Sequence, residues 1–215
     1  MDIYEGKHLC IVGANGTGKT SIVRVLCELW PLREGTITWK TPRPHLIVIP
    51  QRPFMPPSTL AELIAWPDFP QFDLAMFDCI MDRVGLSGLV SRVNGYHKHF
   101  SRWCDMLSPG EQQRIAFART LYHLQKPTHG GDTIDLSQSD EATQPLLYDR
   151  TDNPSDVLVV LDEADAALDP AAARALIETL SPLATLVVIT HRLGTVPNAS
   201  VLNLTGEGRW ELSSE

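Results

Sequence analysis

The chain has 215 residues, 43% of them hydrophobic and 20% charged, which suits one globular domain with a substantial buried core. A formal net charge of −8 gives no electrostatic footprint for a phosphate backbone or an anionic membrane surface, so nucleic acid is not an expected partner. No uninterrupted apolar stretch approaches the roughly 20 residues needed to span a bilayer, and the N-terminus lacks a basic-then-apolar signal layout; the chain itself is expected to be soluble and cytosolic.

Leu9-Cys10-Ile11-Val12 is short and uncharged and runs into Gly13-Ala14-Asn15-Gly16-Thr17-Gly18, the pattern of a buried strand followed by a tight loop. From Lys19 the apolar positions Ile22, Val23, Leu26 and Leu29 recur at helical spacing until Trp30-Pro31. Gly13 to Thr20 therefore match GxxxxGK[ST] in the strand-loop-helix context that a phosphate-binding loop requires. Its glycines let backbone N–H groups curl around phosphate oxygens, and the helix N-terminus adds partial positive charge. Lys19 is expected to reach the β- and γ-phosphates and Thr20 to ligate Mg²⁺, with Ser21 completing the loop.

Thr36 to Trp39 and Leu46 to Ile49 read as two further strands, punctuated by Pro42, Pro44 and Pro50. Leu60, Leu63 and Ile64, then Leu74, Phe77, Ile80, Met81 and Val84, switch to helical periodicity, which predicts a helical subdomain inserted in the α/β core. A long helix is predicted from near Pro109 towards Gln125. Ser108 suits its N-cap, Pro109 its first position, and Glu111 stands where a capping box needs it. A capped N-terminus with a small residue at Gly110 is also a ready anion site. Residues 127–156 carry seven acidic side chains against Arg150 and no periodicity, and read as a flexible acidic insertion.

Val157 to Leu161 and Leu186 to Ile189 are continuous runs rich in valine, as expected of parallel strands buried on both faces, with a helix from Ala171 to Leu180 between them. Asp162 and Glu163 close the first run, where α/β sheets place their ligands. Asp162 is assigned to the Mg²⁺ shell and Glu163 to orienting and activating the attacking water. Cys10, Cys27, Cys79 and Cys104 lie too far apart for a metal or redox motif and read as reduced core or filler residues.

Leu107-Ser108-Pro109-Gly110-Glu111-Gln112-Gln113-Arg114 resembles the LSGGQ signature of ATP-binding cassettes, and with it the chain is identified as a member of that family. The resemblance implies an α/β P-loop NTPase fold with a RecA-like parallel sheet core, about 1–51 and 157–215, and a helical subdomain, about 52–126. It implies ATP and Mg²⁺ as cofactors and a second cassette as head-to-tail partner, whose bound γ-phosphate meets Ser108 and Gly110. Pro109 replaces the usual glycine and removes a backbone donor, and Glu111 replaces glutamine, so only Ser108 and Gly110 are carried over as phosphate contacts. Gln51 matches the Q-loop glutamine that senses Mg²⁺ and water and links to a membrane domain. Ala167-Leu168-Asp169 resembles the D-loop at the dimer interface, and His191 the switch histidine that touches the γ-phosphate and positions Glu163.

Pro50 to Met55, Trp103, and Gly206 to Leu212 resemble subfamily D, peroxisomal-type half-transporters of which most move fatty acyl-CoA. Gly16 to Ser21, Leu107 to Glu111 and Gly208 to Leu212 are closer to its lysosomal cobalamin-exporting branch. The resemblance places the cassette on the cytosolic face of a peroxisome or lysosome, held there by a transmembrane domain outside this chain. The chain begins twelve residues before Gly13, short of the adenine-stacking strand usual in the family. Two other readings stay open: a soluble ABC ATPase of translation or DNA repair, which would favour tandem cassettes or basic surfaces, and a truncated, low-activity cassette acting as an interaction module.

Overall fold

The structure is a computed structural model and describes residues 2–39, 43–70, 73–125, 157–192, 194–206 and 208–214. The expected acidic insertion at 127–156 lies outside the described residues. Along the chain, β1 (Leu9–Gly13) leads to α1 (Lys19–Leu26), then β2 (His45–Ile49), a short β3 (Ser58–Thr59) and α2 (Leu60–Ala65). Next come α3 (Leu74–Arg83), α4 (Ser87–Arg92), a short β4 (His99–Phe100), α5 (Trp103–Met106) and the long α6 (Pro109–Gln125). The chain then returns through β5 (Val157–Asp162), α7 (Pro170–Leu180), β6 (Thr185–Ile189) and the hairpin β7 (Ser200–Gly206) and β8 (Arg209–Ser214).

The principal sheet has the order β2-β5-β6-β1-β7-β8, parallel throughout except for the antiparallel β7–β8 pair. Strands β5 and β6 lie inside it and are buried on both faces, which is why they read as unbroken apolar runs. Side chains alternate across the sheet with a period of two. Leu9, Ile11, Leu158, Val160, Val187 and Ile189 pack on one face with Val23 of α1. Cys10, Val159, Leu161, Leu186 and Val188 face the other way, into a larger cluster that continues through Leu63 of α2, Phe77 of α3 and Phe117 of α6. Each large side chain so buried contributes about 1.5–3 kcal/mol, so the helices between β2 and β5 share one core with the sheet.

Several sequence-based expectations are corrected. Residues 36–39 form no strand. Among the described residues no strand runs beside them, so they have no ladder of backbone partners, and Ile37 is 41% exposed. Helix α1 stops at Leu26 instead of continuing to Leu29. Glu28 adopts φ 57°, and the amides of Leu29 and Trp30 both return to Arg24 O, which turns Leu29 outward. None of the four cysteines is in a disulfide, but only Cys10 is buried; Cys79 and Cys104 are exposed. The predicted capping box of α6 forms: Ser108 N donates to Glu111 Oε2 at 2.9 Å and Glu111 N to Ser108 Oγ at 3.3 Å.

Unforeseen elements are β3 with β4, the short α4 and α5, and the C-terminal hairpin. Trp103, fully buried, donates its indole N–H to Ser58 O and Oγ, each at 3.1 Å, and so ties α5 to β3 just before the start of α6.

Candidate functional site

Three neighbouring strands in register bring their carboxyl ends to one edge of the sheet: Ile11 and Asp162 both pair with Ile189, and Gly13 pairs with Leu204. The residues that follow β1, β5 and β6 therefore meet there, at the sheet end where open α/β folds hold ligands.

The loop from Gly13 to Gly18 wraps in front of α1. A Cβ on Gly13 would stand 2.6 Å from Leu204 O, so only glycine fits between the two strands. Gly16 and Gly18 have φ 81° and 100° and open space beyond their Cα atoms. Gly18 is the N-cap of α1 and supplies no side-chain acceptor, so the first-turn amides at Lys19, Thr20 and Ser21 carry no side-chain cap. Thr17 Oγ1 donates to Ala14 O at 2.9 Å, and Lys19 Nζ donates to Gly13 O at 2.8 Å and Ala14 O at 3.1 Å. Lys19 is buried beneath the loop while Asn15 and Gly16 are exposed at its tip. Open amides over a buried ammonium make a site for an anion with several oxygens.

Thr20 Oγ1 donates to Asp162 Oδ1 at 3.2 Å. Half-burial raises the Asp162 carboxyl above the usual range; the Thr20 hydroxyl opposes that rise, and the neighbouring Glu163 charge adds to it. A hydroxyl and a desolvated carboxylate beside an anion site are the hard oxygen donors that suit Mg²⁺, which takes few protein ligands and completes its shell with phosphate and water. The residues present thus fit a Mg²⁺-bound polyphosphate.

Glu163 has φ 50°, and its amide donates to Ile189 O at 3.0 Å, which swings its side chain off the strand axis. Gln51 Nε2 donates to Glu163 Oε2 at 3.0 Å, and His191 Nε2 lies 3.2 Å from Glu163 Oε1. One carboxylate, 22% exposed, is held from both sides by groups that follow β2 and β6. That geometry suits a base that must reach solvent yet keep one orientation.

The remaining expected contacts lie elsewhere. Ser108 is bonded to Glu111, and Gly110 faces Ala167 O, where an added Cβ would stand at 3.1 Å. Among the described residues neither is bonded to residues 13–21. Asp169 caps α7, accepting from Ala172 N at 2.9 Å. Glu111 also pairs through Oε1 with Arg92 at 2.8 Å.

Sequence reasoning missed the side chains that brace this edge. Gln113 Nε2 donates to Pro50 O at 3.2 Å, and Arg119 donates to Phe54 O at 3.0 Å and to Leu63 O, so α6 fixes both ends of the segment around Gln51. A signal for Gln113 exists: it precedes Ala116, Phe117 and Thr120 on the buried helix face, where a polar residue needs a partner. Asp165, Thr190 and Arg192 form a second brace whose partners lie too far along the chain for any local signal.

Comparison with known proteins bears on this edge. Residues 1–128 match the family model described as ABC transporter. The human lysosomal cobalamin transporter ABCD4 is 34% identical over 223 residues, covering 99% of this chain and 32% of that protein. The human ATP-binding cassette sub-family D member 3 is 39% identical over 130 residues, covering 57% of this chain and 19% of that protein. A bacterial Atm1-family ABC exporter with ATP bound is similar in structure, with a TM-score of 0.69 and 25% identity over 98% of this chain and 34% of that one. The chain thus spans about a third of the length of ABCD4.

Proposed function

The chain belongs to the ABC transporter family, with subfamily D proteins among its relatives and the P-loop NTPase fold, and from that premise we propose that it binds Mg²⁺-ATP and hydrolyses it to drive transport. The observation that carries the reading is the Glu163 carboxylate held between Gln51 and His191, one residue from the Thr20–Asp162 pair. Backbone amides of residues 13–20 and the Lys19 ammonium bind the triphosphate, and Ser21 extends that amide row. Thr20 and Asp162, with Gln51, hold Mg²⁺, which when bound neutralises charge building on the phosphates. Glu163 orients water and takes its proton, and Gln51 and His191 keep the carboxylate aimed.

The partner is a second cassette, arranged head to tail, so that Ser108 and Gly110 face the terminal phosphate held by its mate. What supports this is the capped, half-open start of α6 with Gly110 against the Ala167 turn. A transmembrane domain couples to closure of the pair through the segment around Gln51. Among the described residues no helix is long and apolar enough to cross a membrane. The net charge of −8 favours membrane transport over action on nucleic acid. The membrane is that of a lysosome or peroxisome, and cargo of the cobalamin or acyl-CoA class is selected in the membrane domain.

The test is Glu163→Gln. It should keep ATP affinity by calorimetry, lose phosphate release, and accumulate a closed two-cassette species by sizing in ATP. Turnover at the wild-type rate would remove the role given to Glu163.

A further inference from the structure

The turn after β5, residues 163–168, is fastened to the end of β6 by side chains. Thr190, fully buried, donates its hydroxyl to Asp165 Oδ2 at 2.6 Å and accepts from Arg192 N at 2.9 Å. Arg192 Nη1 donates to Asp165 O at 3.2 Å and Leu168 O at 3.0 Å, spanning the second half of the turn. Asp165 is itself only 4% exposed, so its carboxylate depends on the Thr190 hydroxyl, while Arg192 holds its main-chain carbonyl.

His191 sits between the two clasp residues Thr190 and Arg192. Its side chain is half exposed and reaches Glu163 at 3.2 Å, so the packing around the ring does little to fix it. Its place is set by the backbone on either side, and that backbone is held by the clasp. At its far side the same turn meets α6, where Gly110 leaves room for Ala167 O and an added Cβ would stand at 3.1 Å. A bonded unit with one end under an imidazole and the other under a helix N-terminus moves as one piece.

We propose that Asp165, Thr190 and Arg192 are positioning residues of the hydrolytic site, locking the 163–168 turn to the strand end that carries His191. The clasp keeps the imidazole in line with Glu163, and a shift of Ala167 against Gly110 is passed to that pair. The inference rests on the hydrolytic reading above and adds residues that act only through His191.

The experiment uses the full chain and measures ATP affinity by calorimetry and turnover by phosphate release. Thr190→Val and Arg192→Ala should lower kcat about ten- to a hundredfold, the scale of a small misplacement of a reacting group. ATP affinity should stay within about twofold, because the clasp lies behind Glu163 and His191 and touches none of the P-loop residues. Thr190→Ser, which keeps the hydroxyl, should restore turnover. In a double-mutant cycle, Thr190→Val with His191→Ala should be no slower than His191→Ala alone, whereas a merely structural residue gives additive losses. Additive losses, or turnover unchanged by both Thr190→Val and Arg192→Ala, would overturn the clasp. If Thr190→Val does not fold, Arg192→Ala carries the same cycle from a half-buried position. Wild-type turnover in His191→Ala would remove the role of His191 and the clasp with it, whereas ATP binding without any phosphate release from the wild-type chain would bring down the hydrolytic reading itself, so the two failures are distinguishable.

Discussion

The hydroxyl of Thr20 donates to Asp162 Oδ1 at 3.2 Å, joining the helix after the phosphate loop to the end of β5 across 142 positions of chain. Burial holds the Asp162 carboxyl above its ordinary range, with the Thr20 hydroxyl opposing and Glu163 adding to the rise. A carboxyl raised in the folded state favours folding most below its unfolded value, and that contribution is lost as pH rises through the folded one. At neutral pH the ionised group therefore weighs against the fold unless a cation answers it. Asp162→Asn should melt no lower than wild type in EDTA, yet lose the rise in melting temperature that Mg²⁺-ATP gives wild type. A variant that keeps the full ligand-induced rise would end the assignment of Asp162 to the metal.

Lys19 offers a second test of the same edge. Its ammonium is buried and shared between Gly13 O and Ala14 O, so it shapes the loop before any ligand arrives. A charge-assisted hydrogen bond lost from the ligand costs about 1.5–3 kcal/mol, roughly ten- to a hundredfold in affinity. Lys19→Ala should show that drop for ATP by calorimetry, and unchanged affinity would contradict the phosphate-site reading.

Two glycines of the loop should fail differently. A Cβ on Gly13 would meet Leu204 O at 2.6 Å, so Gly13→Ala forces β1 and β7 apart and should cost about 2–3 kcal/mol of stability by urea denaturation. Gly16 has φ 81° but nothing within 4 Å of an added Cβ, so Gly16→Ala meets only backbone strain, about 1–2 kcal/mol. Equal losses at the two positions would contradict the packing account.

The parts of this molecule that were legible in sequence are those whose cause is local. Leu9 to Lys19 carry strand, turn and helix start in one stretch, and Val157 to Leu161 announce a doubly buried strand by composition alone. Residues 36–39 misled because β-branched residues give propensity while a strand also needs a neighbour. The C-terminal hairpin has only a short alternating signal, Leu202 to Thr205, and Arg209 to Leu212 stand out only as a family resemblance. In the site, Gln51 and His191 followed from resemblance, but their meeting on opposite oxygens of Glu163 depends on strand order, which no spacing encodes. Gln113 and the clasp of Asp165 with Thr190 and Arg192 are invisible for the same reason: the bonds that join them to other elements span 24 or more residues.

The departure at Glu111 has a measurable signature in acid. Partial burial pushes its carboxyl up, but bonds from the Ser108 amide and Arg92 outweigh that and hold it below the usual 4.5. A depressed carboxyl contributes stability that is complete above its unfolded value and is lost as pH falls through the lower folded one. Glu111→Gln keeps an oxygen for the Ser108 amide and loses only the ion pair with Arg92, so near neutral pH it should cost about 0.5–1 kcal/mol. As pH falls through that lowered folded value the wild-type carboxyl protonates and loses the same ion pair, so the gap between the two urea midpoints should close. Glu62 is also lowered, through its bond from the Thr59 amide, but it is common to both proteins and cancels in the difference. A gap that stays constant into acid would mean that the Arg92 pair contributes nothing and that the glutamate is held for its capping oxygen alone.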